Sequence, residues 1–201
     1  MTGVCYTMSQ RSWRKKPAQG VSPGTAAIPT AQPAERAKEI IPGRQPWAVE
    51  SMPHSLSSIW LHAIFSTKGR RPWLSAEVRA RLLPYMMAVL GKSGALVRAI
   101  DGVEDHLHLL MRVRPEASPA EVMRVLKANS SKWIHATFPE LGGFAWQGGY
   151  SVFTVSVSQC GKVEAYIAGQ EEHHRRQGFE EELRAFLVRH EVAYDERDLQ
   201  I

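Results

Sequence analysis

The stretch Asp105-His106-Leu107-His108-Leu109-Leu110-Met111-Arg112-Val113 constrains this chain more than any other. Side chains alternate along a strand, so Leu107, Leu109, Met111 and Val113 share one face while His106 and His108 share the other. The first face has to be covered by an apolar layer. The second carries two imidazoles close enough to bind one ion, although two imidazoles alone do not complete a metal site. Such a segment calls for a sheet with one face in a core and ligands brought in from elsewhere in the chain.

The surrounding periodicity supplies the rest of that sheet. Residues 57–66 alternate, with Leu61, Ala63 and Phe65 on one side and Trp60, His62 and Ile64 on the other, which predicts a first strand. Over 75–92, Val78, Leu82, Met86, Val89 and Leu90 fall at helical spacing, and Pro84 predicts a kink within that helix. Residues 96–100 and 105–113 flank Asp101-Gly102 and read as a hairpin. Ser118-Pro119-Ala120-Glu121 reads as a capping box, opening a helix with Val122, Val125, Leu126 and Trp133 on one side. A long strand is expected over 144–157, with a bulge at Gly148-Gly149. A helix over 162–176 follows, and then an amphipathic one carrying Phe179, Leu183, Phe186, Leu187 and His190. The order β-α-β-β-α-β-α-α predicts an α+β, ferredoxin-like (RRM-like) antiparallel sheet with helices on one face, plus C-terminal helices. On this reading the histidine pair projects from the face that the helices leave open.

Composition divides the chain near residue 51. Residues 1–51 hold seven Lys/Arg against three Asp/Glu and six of the twelve prolines, with no helical or strand period. The expectation is a disordered tail, or a translation start that truly lies at Met52. Residues 52–201 are the domain. Their charge is nearly balanced, eighteen Lys/Arg against seventeen Asp/Glu, so the basic sequence pI of about 9.4 does not by itself diagnose nucleic-acid binding. Cys5 and Cys160 make no disulfide framework, no apolar run is long enough to span a membrane, and no leader pattern opens the chain. A cytoplasmic protein is expected.

Tyr166 and Gln170 lie four residues apart in the 162–176 helix, hence on one face. With the histidine pair they make a kit of nucleophile, electrophile-activating metal and amide ligand. His173 and His174 read as the solvated end of the same helix, and no group is identifiable that would take the tyrosine's proton.

From about residue 55 to 197 the chain resembles the single-tyrosine HUH transposases, the small insertion-sequence class that includes the REP-associated tyrosine transposases. The residues that carry the resemblance are the Trp60–Lys68 stretch WLHAIFSTK, Asp105-His106-Leu107-His108, Ser130-Ser131-Lys132-Trp133-Ile134, Trp146-Gln147-Gly148-Gly149-Tyr150, and the Tyr166–Arg176 stretch YIAGQEEHHRR. The resemblance implies that His106, His108 and Gln170 hold one divalent ion, Mg²⁺ or Mn²⁺. It implies that Tyr166 attacks a DNA phosphodiester to give a 5′-phosphotyrosine and a free 3′-OH, which can later rejoin strands without ATP. The implied partners are single-stranded DNA with hairpin ends and a second copy of the chain, in a homodimer whose sites each combine a His pair with the other subunit's Tyr helix.

Lys127, Ser131 and Lys132 on the second helix, with Lys68, Arg70 and Arg71 after the first strand, are candidate phosphate contacts, and Trp60 is a candidate stacking platform. The alternative function is a domesticated or inactive relative that binds single-stranded nucleic acid or hairpins without cutting them.

Overall fold

A computed structural model describes residues 56–199 together with a two-residue strand, β1 (Tyr6–Thr7). The remaining strands are β2 (Ile59–Ser66), β3 (Ala95–Gly102), β4 (His106–Val113) and β5 (Ser151–Val155). All pairings are antiparallel and the order across the sheet is β1-β3-β4-β2-β5. The expected tail over 1–51 lies outside the described residues except for Tyr6–Thr7, which pairs with Ala99 and Ile100. Among the described residues no helix is long and apolar enough to cross a membrane.

One face of the sheet carries Leu61, Ala63, Phe65, Leu107, Leu109 and Met111, as the alternation requires. Helices α1 (Ala76–Lys92) and α2 (Pro119–Thr137) cover it with Leu82, Met86, Leu90, Val122, Leu126 and Ile134. The Ser75 hydroxyl caps α1 by accepting from the Val78 N–H at 3.3 Å, and the helix continues through exposed Pro84. Ser118 stands at the N-cap of α2 with Pro119 in the first turn, but its side chain makes no cap hydrogen bond. That end of the helix has the expected residues without the expected capping box.

The opposite face is not open. The remaining described α-helices are α3 (Cys160–Ala168), α4 (Gln170–His174) and α5 (Phe179–Arg189), and residues of α3 and α5 pack on that face in two apolar clusters. Trp60, Ala99 and Leu110 meet Cys160 and Ile167; Ile64 and Phe153 meet Phe179, Leu183 and Leu187. The reason lies in β2 and β4, which carry Trp60, Ile64 and Leu110 beside the histidines. A strand apolar on both faces is one that is buried on both faces. His62, His106 and His108 are therefore interior residues, each no more than 1% exposed.

Two further expectations are corrected. The 144–157 strand shrinks to Ser151–Val155, with only an isolated bridge from Trp146 to Thr67 before it. The Lys127 ammonium donates to the carbonyls of Gln147 and Gly149, at 2.6 and 2.8 Å, and the Trp146 indole N–H donates to Ser130 Oγ at 2.9 Å. These bonds hold 146–149 as a loop against α2 instead of a bulged strand. The 162–176 helix is also broken. Gly169 leaves helical geometry, with φ −99° and ψ 13°, and divides α3 from α4. Glycine has low helix propensity, and here the break redirects the residues that follow.

Candidate active site

The β3–β4 hairpin sets the position of the histidine pair. Its turn is so tight that a Cβ at Gly102 would stand 2.2 Å from the His106 carbonyl oxygen and 2.8 Å from Leu107 Cα. His106 directs Nδ1 at Asp105 Oδ1, 2.7 Å away, and His108 directs Nδ1 at His62 Nε2, 3.1 Å away. Both rings thus spend Nδ1 outward and turn Nε2 toward the C-terminal helices. An imidazole whose second nitrogen is held by a carboxylate is oriented as a metal ligand is. Arg70 binds Asp105 in turn, 3.4 Å from Oδ2, and also pairs with Glu180 at the start of α5.

Four side chains descend on the pair from the other side. The Tyr166 hydroxyl, from α3, donates to Glu182 Oε1 in a short contact and lies 3.3 Å from His173 Nε2. Gln170 Nε2, from α4, is 3.3 Å from the same Glu182 oxygen. His174 Nε2 is 2.9 Å from His106 Nε2. Glu182 Oε2 lies 3.7 Å from His106 Nε2, 3.4 Å from His108 Nε2 and 3.3 Å from His174 Nε2. One buried carboxylate therefore faces the tyrosine with one oxygen and three imidazoles with the other.

This donor set fits a divalent cation. His106, His108, His174 and Glu182 offer ligand atoms that all lie within 4.8 Å of one another. Among the described residues, the buried side-chain polar atoms without a hydrogen-bond partner are His108 Nε2, Gln170 Oε1 and Glu182 Oε2. Orphaned buried groups are costly unless something satisfies them. A nitrogen, an amide oxygen and a carboxylate oxygen are all groups that an ion would satisfy together.

Electrostatics match the geometry. Burial pushes the His106 imidazole down to about 4 and that of His62 down to about 3, so both rings are neutral near pH 7. Burial opposes ionisation of Glu182, but the His108 and His174 imidazoles close beside it outweigh that and hold the carboxyl well below the usual range. Burial, reinforced by the Glu182 carboxylate, raises the Tyr166 phenol well above its ordinary value. The phenol keeps its proton until an acceptor takes it.

The family described as "Transposase IS200 like" matches residues 55–170, more than half of the chain. This chain belongs to the IS200-like transposase family. The ISDra2 transposase TnpA of Deinococcus radiodurans is 27% identical over 114 residues, covering 54% of this chain and 81% of that protein. The transposase for insertion sequence element IS200 of Salmonella typhimurium is 25% identical over 126 residues, covering 60% and 82% respectively. A solved structure from Deinococcus radiodurans, described as a transposase, superposes with a TM-score of 0.50 at 26% identity, over 61% of this chain and 98% of that one. A REP-associated tyrosine transposase structure, at 15% identity and TM-score 0.46, is too distant to bear on mechanism.

The family match ends at Gln170, before His174 and Glu182. In the transposase's sequence neither residue reads as a candidate ligand, and His174 reads as a solvated helix end. Its side chain is in fact only 12% exposed. For Glu182 a signal was present. It falls on the apolar stripe Phe179, Leu183, Phe186 and Leu187, where a charge is anomalous. Tyr166 also reaches the histidine pair of its own chain, because α3 follows β5 at the sheet edge and crosses the histidine face. The helix need not come from a partner for the two to meet.

Of the candidate DNA contacts, Arg70 stands beside this cluster, spent on Asp105 and Glu180, and Lys127 and Ser131 lie elsewhere. Lys127 and Ser131 line a cleft of about 400 Å³ with Trp146, Gln147 and Tyr150 on the α2 side of the sheet. Lys127 is committed to loop carbonyls there, while Lys68 and Lys132 are exposed. Trp60 is buried, with the Arg98 guanidinium 5.7 Å from its ring centroid, so it offers no stacking platform.

Proposed function

We propose that this IS200-like transposase cleaves and rejoins single-stranded DNA at hairpin-flanked element ends through Tyr166. The observation that carries the reading is the convergence of the Tyr166 hydroxyl, the Gln170 amide and the histidine pair on Glu182. His106, His108 and Gln170 would hold Mg²⁺ or Mn²⁺, with His174 and Glu182 within reach of the same ion. Bound there, the ion supplies electrostatic stabilisation to a phosphate's developing charge.

The chain's own residues do the rest. Tyr166 Oη forms the bond to phosphorus as the bond to the 3′ oxygen breaks, leaving a 5′-phosphotyrosine and a free 3′-OH. The Glu182 carboxylate, held ionised, accepts the phenol's hydrogen bond and orients it, and His173 Nε2 stands 3.3 Å away as the acceptor for its proton. His62 and Asp105 hold the two imidazoles in orientation, and the apolar clusters on either side keep the site rigid. Joining reverses the step, with the 3′-OH attacking the phosphotyrosine and returning the phenol.

The same constellation would also form if two copies exchanged the Tyr166 helix in a homodimer. Mixing a His106→Ala/His108→Ala chain with a Tyr166→Phe chain tests this. Adduct formation restored by mixing means shared sites; no restoration, with both parent reactions lost, means each chain builds its own. The reaction itself is tested by a metal-dependent covalent protein–DNA adduct that Tyr166→Phe cannot form.

A further inference from the structure

A cleft of about 650 Å³ opens beside Tyr166, between the end of β5, the start of α3 and the C-terminal half of α5. It is larger than a phosphate requires, and the transposition chemistry described above uses only its inner wall. Phe186 and His190, four residues apart on α5 and its C-cap, lie on its other side. Their rings are within 22° of parallel, and Phe153 packs against both, 5.5 Å from Phe186 and 4.6 Å from His190. The Tyr166 ring meets Phe186 edge-on at 5.8 Å, so the nucleophile forms a wall of the same space.

Two cations stand at the rim. Lys162 is exposed and makes no ion pair among the described residues. Arg189 lies with its guanidinium carbon 6.0 Å from the Phe186 ring centroid. Ring faces flanked by cations are how proteins hold unpaired nucleotides: the bases stack and the backbone phosphates face the charge. A volume of this size accommodates one nucleotide and part of a second. Ser156 and Gln159 add polar groups at the mouth.

We propose that this cleft is a nucleotide subsite, seating an unpaired nucleotide next to the scissile phosphate with its base on Phe186 and His190 and its backbone toward Lys162 and Arg189. The assignment rests on the reading of Tyr166 as the DNA nucleophile. A strand whose phosphate reaches Tyr166 has to lead away from it, and this cleft is the space that adjoins the hydroxyl. Base identity enters through stacking and the polar mouth, so the subsite tolerates several bases.

The test uses the full chain with Mn²⁺ and a 5-iododeoxyuridine-substituted single strand from the flanks of its own gene. Ultraviolet cross-linking is followed by trypsin digestion and mass spectrometry, and the Tyr166 adduct is read from the same sample on a denaturing gel. Cross-links are expected in the peptide 185–189 or in the following peptide that begins at His190. Ala185→Trp fills the cleft from an exposed position, and Lys162→Glu reverses a rim charge without touching the core. Each should weaken strand binding by about fivefold or more, the smallest factor expected from losing one base stack or one phosphate contact. A wild-type adduct with cross-links only elsewhere, or with both variants binding as tightly as wild type, overturns the subsite and leaves the nucleophile standing. Cross-links at 185–190 without an adduct would support the subsite and overturn the nucleophile.

Discussion

Replacing Glu182 by Gln is the sharpest perturbation of the metal site, because it preserves shape and removes one charge. The side chain is 2% exposed and one oxygen lies 3.3 to 3.7 Å from three imidazole nitrogens. An ion held by those nitrogens would lie within about 4 Å of that oxygen, where a unit charge pair in an effective dielectric of 20 is worth about 4 kcal/mol. Relief of the carboxylate's own desolvation offsets part of that, leaving about 2.7 kcal/mol, or a hundredfold in Mn²⁺ affinity. Metal bound only by the folded state raises stability by the same linkage, so Glu182→Gln should forfeit about 5–11 °C of the Tm increment that saturating Mn²⁺ gives the wild type. The assay is a thermal melt of both proteins with EDTA and across a Mn²⁺ titration, the EDTA melts correcting for any intrinsic change. An equal Mn²⁺ increment in the two proteins would refute the assignment of Glu182 to the ion.

Two other changes probe the frame around the site. Gly102→Ala places a methyl 2.2 Å from the His106 carbonyl oxygen, so the hairpin has to open; a loss of about 3 kcal/mol or more is expected, read as a Tm drop of about 6–12 °C, and an unchanged Tm would show that the turn yields freely. Asp101 sits on β3 opposite His108, and burial pushes its carboxyl from 3.8 up to about 6. Its ionisation therefore costs nothing below pH 4, costs progressively more between 4 and 6, and is fully destabilising above that. Asp101→Asn, which can still accept from the Gly102 N–H, should be more stable than wild type by about 2 kcal/mol at pH 8 after allowance for solvent screening, with the difference vanishing near pH 4. A difference independent of pH between the two denaturation curves would contradict this.

Much of the sheet face under α1 and α2 was legible, because there a strict alternation of Leu61, Ala63, Phe65 and of Leu107, Leu109, Met111 coincides with burial. The face bearing the histidines reads as open in the sequence and is covered in the structure. Trp60, Ile64 and Leu110 on that face needed partners, and Leu183 and Leu187 needed a surface, but neither pattern says locally that the two belong together. The site divides in the same way. His106 and His108 stand in a strand alternation, and Tyr166 and Gln170 in an i, i+4 spacing whose helix breaks at Gly169 yet leaves both on Glu182. Glu182 is one of three consecutive glutamates at a helix start, and only its place on the apolar stripe marks it as the one that turns inward. The 144–157 strand is cut short for a reason its own alternation does not carry, since Lys127 and Ser130 on the preceding helix capture the loop.

The central claim is that Tyr166 makes the covalent bond to DNA. Its most direct test is a denaturing gel of the protein with end-labelled single-stranded DNA from the flanks of its own gene, run with Mg²⁺, with Mn²⁺ and with chelator, and with Tyr166→Phe alongside. The account predicts a slow band of protein plus DNA that requires the metal and is missing from the variant. A band of equal intensity from Tyr166→Phe, or hairpin binding with no band at all from the wild type, would contradict it.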